Sequence, residues 1–250
     1  MIKTQIDINA GSNCLLKTFV WETEVKKKGI IIICHGMAEH IGRYDTFATF
    51  FTNNGYIVYG YDQRGHGLTA EKNGLLGYMS DINNINILVT DLFEVIEYIK
   101  KVNIDLPIHL LGHSMGSFIS LKYAQNYGDE INTLILSGSA YNNGLAVKVG
   151  ALLASIITKS KGRRYQSKLI HNLVMGRYNK KFKPNRTKAD WLSRDNKVVD
   201  DYINDKYCGT VFSVSYYKDL LNSFSPLYSS LNLIPDELPI YLFSGDDDPV

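Results

Sequence analysis

A serine held between two glycines is the first feature of this sequence with a chemical implication. The motif G-H-S-M-G, Gly112–Gly116, follows the apolar run Ile108–Leu111 and precedes a stretch with helical periodicity. A serine on a sharp turn between a strand and a helix needs small neighbours, because the backbone is strained and closely approached there. The N-terminus of the following helix places N–H groups beside the serine oxygen, where negative charge develops during acyl transfer. The pattern predicts a nucleophile at Ser114, with Gly112 and Gly116 shaping the turn.

A second loop, H-G-M-A-E-H-I-G-R-Y at His35–Tyr44, also follows a buried apolar run. Such a loop lies at the carboxyl edge of a parallel sheet, where open α/β folds place their sites. In acyl-transfer enzymes this loop donates one backbone N–H to the oxyanion, and the residue after the nucleophile donates another. The two donors predicted here are Met37 and Met115, while His35 and Gly36 shape the loop.

Alternating strand and helix patterns predict the elements that carry these two loops. The predicted strands are Gly29–Cys34, Tyr56–Tyr61, Ile108–Leu111, Thr133–Leu136 and Ile240–Phe243, with two more near Thr4–Asn9 and Cys14–Trp21. The predicted helices are Tyr44–Asn53, ended by Gly55, Ile82–Lys101, with Ser80 or Asp81 as N-cap, and Met115–Asn126, ended by Gly128. This order predicts an α/β fold with a mostly parallel sheet flanked by helices.

The alternation stops after residue 139, which predicts an insertion into the α/β core. We expect core residues 1–139 and 226–250, separated by an inserted segment, residues 140–225, that we name the cap segment. Lys159–Lys188 in this segment contains eleven basic and no acidic residues, and it follows the apolar stretch Leu145–Ile157. This composition is typical of a helix that contacts anionic lipid surfaces. It equally fits a helix that buries its apolar face on the core while the cations are solvated.

Composition excludes several classes of protein. With 250 residues, 45% hydrophobic residues and a net charge of +2, the chain is expected to be one globular domain with an insertion rather than a disordered or coiled-coil protein. Cys14, Cys34 and Cys208 are widely spaced, which predicts neither disulfides nor a metal site, and we predict no cofactor. No secretory signal or membrane span is predicted, so we expect a cytoplasmic protein that contacts membranes at most peripherally. No nucleic-acid-binding module is recognised.

Three motifs in order give this sequence a family resemblance. The loop at His35–Tyr44, D-Q-R-G-H-G at Asp62–Gly67 and G-H-S-M-G at Gly112–Gly116 resemble the monoacylglycerol lipases and lysophospholipase-like serine hydrolases of the α/β-hydrolase superfamily. The resemblance implies an α/β-hydrolase fold with a helical cap inserted over an acyl pocket. It also implies hydrolysis of a single-acyl lipid, a monoacylglycerol or a lysophospholipid, through an acyl-enzyme on Ser114 and without a cofactor.

The same resemblance implies a catalytic acid after the strand Ile240–Phe243. The family places this acid in a G-x-x-D context, which Asp248 matches, and Asp246 and Asp247 are the alternatives because a one-residue shift of the loop would exchange them. In α/β-hydrolases the triad histidine follows the acid in the chain. None of the six histidines does so here. We therefore expect this histidine, with a last strand and helix, beyond Val250, and little or no turnover by these 250 residues alone.

Two alternatives to a lipid esterase remain at this stage. One is a non-catalytic α/β-hydrolase-like protein that binds a lipid. The other is an amide hydrolase, since serine aminopeptidases share much of the fold and the turn around the nucleophile. A cluster of acidic residues in the cap segment, able to hold a substrate amine, would favour the aminopeptidase, whereas the observed segment is basic.

Overall fold

The computed structural model describes residues 2–11, 13–74, 76–81, 85–141 and 144–249. The strands in these ranges are β1 Ile2–Ala10, β2 Cys14–Glu22, β3 Gly29–Cys34, β4 Tyr56–Tyr61, β5 Ile108–His113, β6 Thr133–Ser137 and β7 Ile240–Phe243. The helices are α1 Asp45–Asn53, α2 Gly67–Asn73, α3 Asn86–Val102, α4 Met115–Tyr127, α5 Leu145–Lys161, α6 Lys168–Val174, α7 Asn196–Asn204 and α8 Val214–Ser229. Short 3-10 turns occur at Ile41–Tyr44, Gly128–Glu130, Tyr178–Phe182, Asp190–Leu192 and Leu231–Leu233.

One sheet of seven strands, in the order β1-β2-β4-β3-β5-β6-β7, organises the fold. The pairs β1–β2 and β2–β4 are antiparallel, and the strands from β4 to β7 pair in parallel, which confirms the predicted mostly parallel sheet. In the register of β3 and β5, Cys34 lies opposite Gly112. The loops that follow these two strands therefore leave the sheet side by side.

The central strand β3 is buried on both faces, because its isoleucines pack against helices on both sides of the sheet. Ile30 and Ile32 belong to the core cluster that includes α3 and α4. Ile31 and Ile33 belong to a second cluster, which includes Ala48 of α1. A continuous β-branched run is typical of a strand that is covered on both sides.

The N-cap of α3 was predicted wrongly, whereas α4 ends at Gly128 as predicted. Helix α3 has Ile85 at its N-cap, not Ser80 or Asp81, and residues 82–84 lie outside the described residues. Asp81 instead accepts a hydrogen bond of 2.6 Å from the Tyr78 hydroxyl. Gly128 has a right-handed helical φ of −61° and begins a 3-10 turn, whereas Gly55 has the positive φ, 95°, that a glycine after a helix commonly adopts.

The cap segment contains α5, α6, α7 and most of α8, and the expected boundary at residue 225 lies within α8. Helix α8 joins this segment to the core, since its residues Tyr216, Leu220 and Phe224 belong to the same buried cluster as α3 and α4. No helix among the described residues has the length and hydropathy needed to cross a bilayer.

Candidate active site

Ser114 lies on the turn between β5 and α4 with an unusual backbone conformation. Its φ of 50° and ψ of −120° lie in a region that residues other than glycine rarely adopt. The Ser114 N–H donates a hydrogen bond of 2.8 Å to the carbonyl of Ser137, and its own carbonyl accepts one of 2.6 Å from the Ser117 hydroxyl. These bonds hold the turn. Among the described residues, none is hydrogen-bonded to the Ser114 hydroxyl.

The two glycines of the motif are required by close packing of the backbone. A β carbon at Gly116 would lie 1.9 Å from the carbonyl oxygen of Cys34, the last residue of β3. At Gly112 it would lie 2.6 Å from the carbonyl oxygen of Gly116. Helix α4 therefore approaches β3 more closely than any side chain allows.

Replacing Gly116 by alanine is expected to destabilise the protein by more than about 3 kcal/mol, because the new methyl group meets a strand backbone that cannot move aside cheaply. The measurement is chemical denaturation of the two proteins. Gly144→Ala is the matched control, since no heavy atom lies within 4 Å of a β carbon built there. Equal loss of stability in the two variants would contradict the packing argument.

The loop after β3 is organised around the buried carboxylate of Glu39. One carboxylate oxygen accepts hydrogen bonds from the Gly36 N–H at 2.6 Å and the Tyr44 hydroxyl at 2.9 Å, and the other contacts the Arg43 guanidinium. Burial would raise the pKa of Glu39, but the charges of His113 and Arg43 outweigh it and leave the pKa below its usual value. Glu39 therefore stays ionised and fixes the loop. The sequence analysis did not single it out, although an acidic residue in a loop after a buried strand was the available signal.

Met37 and Met115, the two predicted donors to the oxyanion, line the same cavity as Ser114. Met115 is the first residue of α4, where backbone N–H groups have no partner within the helix. In the part of the chain that the structure describes, neither the Met37 nor the Met115 N–H donates a hydrogen bond, whereas the Gly36 N–H donates to the Glu39 carboxylate.

His35 joins this loop to the one after β4. Its Nδ1 lies 2.8 Å from the Gly36 carbonyl oxygen and can only donate there, so Nε2 accepts the Gln63 N–H at 3.1 Å. Burial lowers the pKa of His35, which keeps the ring neutral. The imidazole is therefore a structural bridge between two loops.

Residues from the cap segment hold the same loop from the other side. The Ala38 carbonyl accepts hydrogen bonds of 2.9 Å from the Tyr202 hydroxyl and from the Gly209 N–H. His40 Nε2 lies 2.7 Å from a carboxylate oxygen of Asp205. The sequence analysis missed these contacts, since nothing in the local pattern links residues more than 160 positions apart.

His40, Asp205 and Cys208 place three potential metal-binding atoms within 4.8 Å of one another. Their hydrogen bonds do not fit a metal. His40 Nδ1 accepts the Gly42 N–H at 3.2 Å, so its proton is on Nε2 and is donated to Asp205, whereas a metal-binding histidine donates its other ring N–H. The three residues form a hydrogen-bonded contact rather than a ligand set.

A cavity of about 1090 Å³ opens above Ser114. Its walls are mainly apolar side chains from α4, α5, α6 and α8. These are Phe118, Val147, Leu173, Leu220, Leu221 and Phe224. Cations from the cap segment, among them Arg177 and Arg194, lie on its border. The cavity can therefore hold an apolar chain with one end beside the Ser114 hydroxyl.

The three aspartates after β7 also line this cavity, and they differ in their contacts. Asp247 forms ion pairs of 3.0 Å with Lys181 and 3.1 Å with Arg194, and these hydrogen bonds hold its pKa below the usual value. A carboxylate oxygen of Asp248 lies 3.3 Å from the β-carbon position of Gly138, which follows β6. Asp248 is thus directed towards the neighbouring strand end and Asp247 towards the cap segment.

The described part of the chain shows no histidine hydrogen-bonded to the Ser114 hydroxyl. His113, its neighbour, has Nδ1 3.2 Å from the Ser137 hydroxyl oxygen. His66 is buried among aromatic rings and donates to the Arg64 carbonyl at 3.0 Å, and burial holds its pKa well below the usual value. The described contacts of these two rings are therefore structural.

Comparisons of the sequence and the fold with known proteins found several similar hydrolases. The sequence profile of the family described as "Serine aminopeptidase, S33" matches residues 25–250. A monoacylglycerol lipase from Mycolicibacterium smegmatis is 35% identical over 183 residues, which is 73% of this chain and 57% of that protein. The mouse monoglyceride lipase is 26% identical over 96% of this chain and 72% of its own length. A thermostable carboxyl esterase from Bacillus coagulans superposes with a TM-score of 0.86 at 23% identity, over 96% of this chain and 79% of the esterase, which shows the α/β-hydrolase fold.

Proposed function

From the premise that this chain belongs to the serine aminopeptidase S33 family of hydrolases, we propose that it hydrolyses carboxylic esters of single-acyl lipids, monoacylglycerols or lysophospholipids. One observation carries the proposal. Ser114 lies on a strained turn and lines a cavity with mainly apolar walls, together with Met37 and Met115, whose backbone N–H groups no described residue accepts. This is the arrangement that acyl transfer from an apolar acyl chain requires.

In the proposed mechanism the Ser114 hydroxyl attacks the ester carbonyl and its proton passes to a histidine oriented by Asp248. The N–H groups of Met37 and Met115 donate to the oxygen on which negative charge develops. Departure of the alcohol, which takes the proton from the histidine, leaves an acyl-enzyme on Ser114. Water then attacks this ester, and the fatty acid leaves.

The contacts of the cavity favour a lipid ester over a peptide amine. An aminopeptidase needs an uncommitted carboxylate to hold the substrate ammonium group. Among the described residues of the cap segment, Asp190 is the acidic residue that lines the cavity, and it accepts hydrogen bonds from the N–H groups of Arg186 and Thr187. Asp247, which also lines the cavity, is already paired with Lys181 and Arg194. The apolar walls, in contrast, offer no hydrogen bonds to a short polar substrate and can pack against an acyl chain.

Hydrolysis assays with three substrates test the proposal on the protein as its gene encodes it, including any residues past Val250. The substrates are a monoacylglycerol, a lysophosphatidylcholine of the same chain length and an amino-acid anilide. We expect release of fatty acid from one or both lipids and no cleavage of the anilide. Binding of the lipids without turnover would favour the non-catalytic alternative, and preferred cleavage of the anilide would favour the aminopeptidase.

Helix α5 supports the further proposal that the cap segment contacts a membrane surface. Its buried residues are the small Gly150, Ala151 and Ala154, whereas four of its large apolar residues are exposed. The exposed stripe is Leu145, Val149, Leu152 and Ile156, with Leu152 62% and Ile156 54% exposed. Lys159 and Lys161 follow at the end of the helix, where they can rest on anionic lipid headgroups.

Replacing Leu152 and Ile156 together by serine is expected to weaken binding to phosphatidylglycerol vesicles by about tenfold or more, because two apolar side chains no longer enter the interface. Vesicle sedimentation measures the effect. Ile104→Ser is the control, since Ile104 is 77% exposed and lies before β5, at the opposite edge of the sheet. If the double variant binds vesicles as the parent does, α5 is not the contact surface.

A further inference from the structure

A second cavity lies between α3, α4 and α8, separate from the cavity above Ser114. Its volume is about 360 Å³, which lies within the range of roughly 300–1,000 Å³ for small-ligand sites. Its apolar walls include Val89 from α3, Ile119 from α4 and Leu227 from α8. Phe118 and Leu220 line both cavities and therefore form a common wall.

Two lysines, Lys122 and Lys218, line this second cavity. Lys218 is paired with the buried carboxylate of Asp219 at 3.2 Å. Lys122 donates to the side-chain amide oxygen of Gln125 at 3.0 Å, and no carboxylate of the described residues forms an ion pair with it. A half-buried lysine beside apolar walls, whose ammonium group has only a neutral partner among the described residues, favours binding of an anion.

We propose that this cavity binds a fatty acid, with the carboxylate on Lys122 and the acyl chain against the common wall. A fatty acid combines the two properties that the cavity selects, an anionic end and an apolar chain, whereas a monoacylglycerol has no charge. The identity of the ligand rests on the proposed function, because hydrolysis of a single-acyl ester releases a fatty acid. The cavity then serves as a site for the product, next to the site where it forms.

Photolabelling locates the site without requiring turnover. The probe is a fatty acid that carries a diazirine in its chain, and labelled peptides are identified by mass spectrometry. We expect labels at Val89 and Leu227, which line only the second cavity. Excess laurate should prevent this labelling, and excess dodecanol, which has no charge, should not. Equal competition by dodecanol, or labels confined to the cavity above Ser114, would overturn the proposal.

The variant Lys122→Gln is expected to reduce labelling of the second cavity about tenfold or more at a subsaturating probe concentration, because a charge-assisted contact is lost. The matched control is Lys101→Gln, since Lys101 is exposed near the end of α3 and outside the cavity. Unchanged labelling in Lys122→Gln would reject the assignment of the anion to this lysine. If the protein as its gene encodes it is labelled as expected but hydrolyses no ester, the proposed function is refuted and the fatty-acid site is not.

Discussion

Replacing Ser114 by alanine is expected to abolish ester hydrolysis, with a loss in kcat of about 10⁴-fold or more. Removal of the nucleophile from a serine hydrolase leaves only the contribution of oxyanion contacts and substrate binding. The measurement is release of fatty acid from a monoacylglycerol by the protein as its gene encodes it, including any residues past Val250. Retained hydrolysis in this variant would place the nucleophile elsewhere.

The backbone conformation at Ser114 allows this test to separate a loss of activity from a loss of stability. The left-handed conformation, with φ of 50°, disfavours alanine as much as serine because both carry a β carbon, so the exchange adds no new strain. The unfolding midpoint should therefore stay close to that of the parent protein. Ser139→Ala is the control for loss of a nearby hydroxyl, since the hydroxyl oxygens of Ser139 and Ser117 lie 2.9 Å apart and Ser139 follows β6. Its kcat is expected to stay within about threefold of the parent, as for a single neutral hydrogen bond.

The sequence predicted the elements whose patterns are local. The strands β3, β4 and β7 begin and end at the predicted residues, because each is a short apolar run bounded by residues that interrupt a strand. The turn at Ser114 was equally predictable. Helix α4 lies so close to β3 that only glycine fits at the two glycine positions of this turn. This packing requirement therefore leaves a recognisable motif in the sequence.

Contacts between distant parts of the chain could not be predicted in the same way. Tyr202 and Gly209 reach the Ala38 carbonyl from the cap segment, and their residue types alone indicate no such role. Helix α5 presents a different difficulty, because an apolar helix followed by lysines fits a buried face and an exposed one equally well. Only the packing of Gly150, Ala151 and Ala154 against the core distinguishes the two.

Replacing Asp248 by asparagine is expected to lower kcat by about 10³- to 10⁴-fold, since a neutral amide neither selects the required histidine tautomer nor stabilises the imidazolium that forms. The KM should change little, because this carboxylate is proposed to act on the histidine rather than on the lipid. Steady-state kinetics on a monoacylglycerol, with the protein as its gene encodes it, measures both quantities.

Asp246→Asn and Asp247→Asn are the matched controls, because each removes one negative charge from the same short loop. The Asp247 carboxylate is already engaged by Lys181 and Arg194 in exposed ion pairs directed towards the cap segment, and such pairs contribute little to stability. Its replacement should therefore leave kcat within about fivefold of the parent value. If Asp246→Asn loses most of its kcat while Asp248→Asn stays active, the loop is shifted relative to the G-x-x-D pattern. The catalytic acid would then be Asp246, and the contact of Asp248 beside Gly138 would be structural.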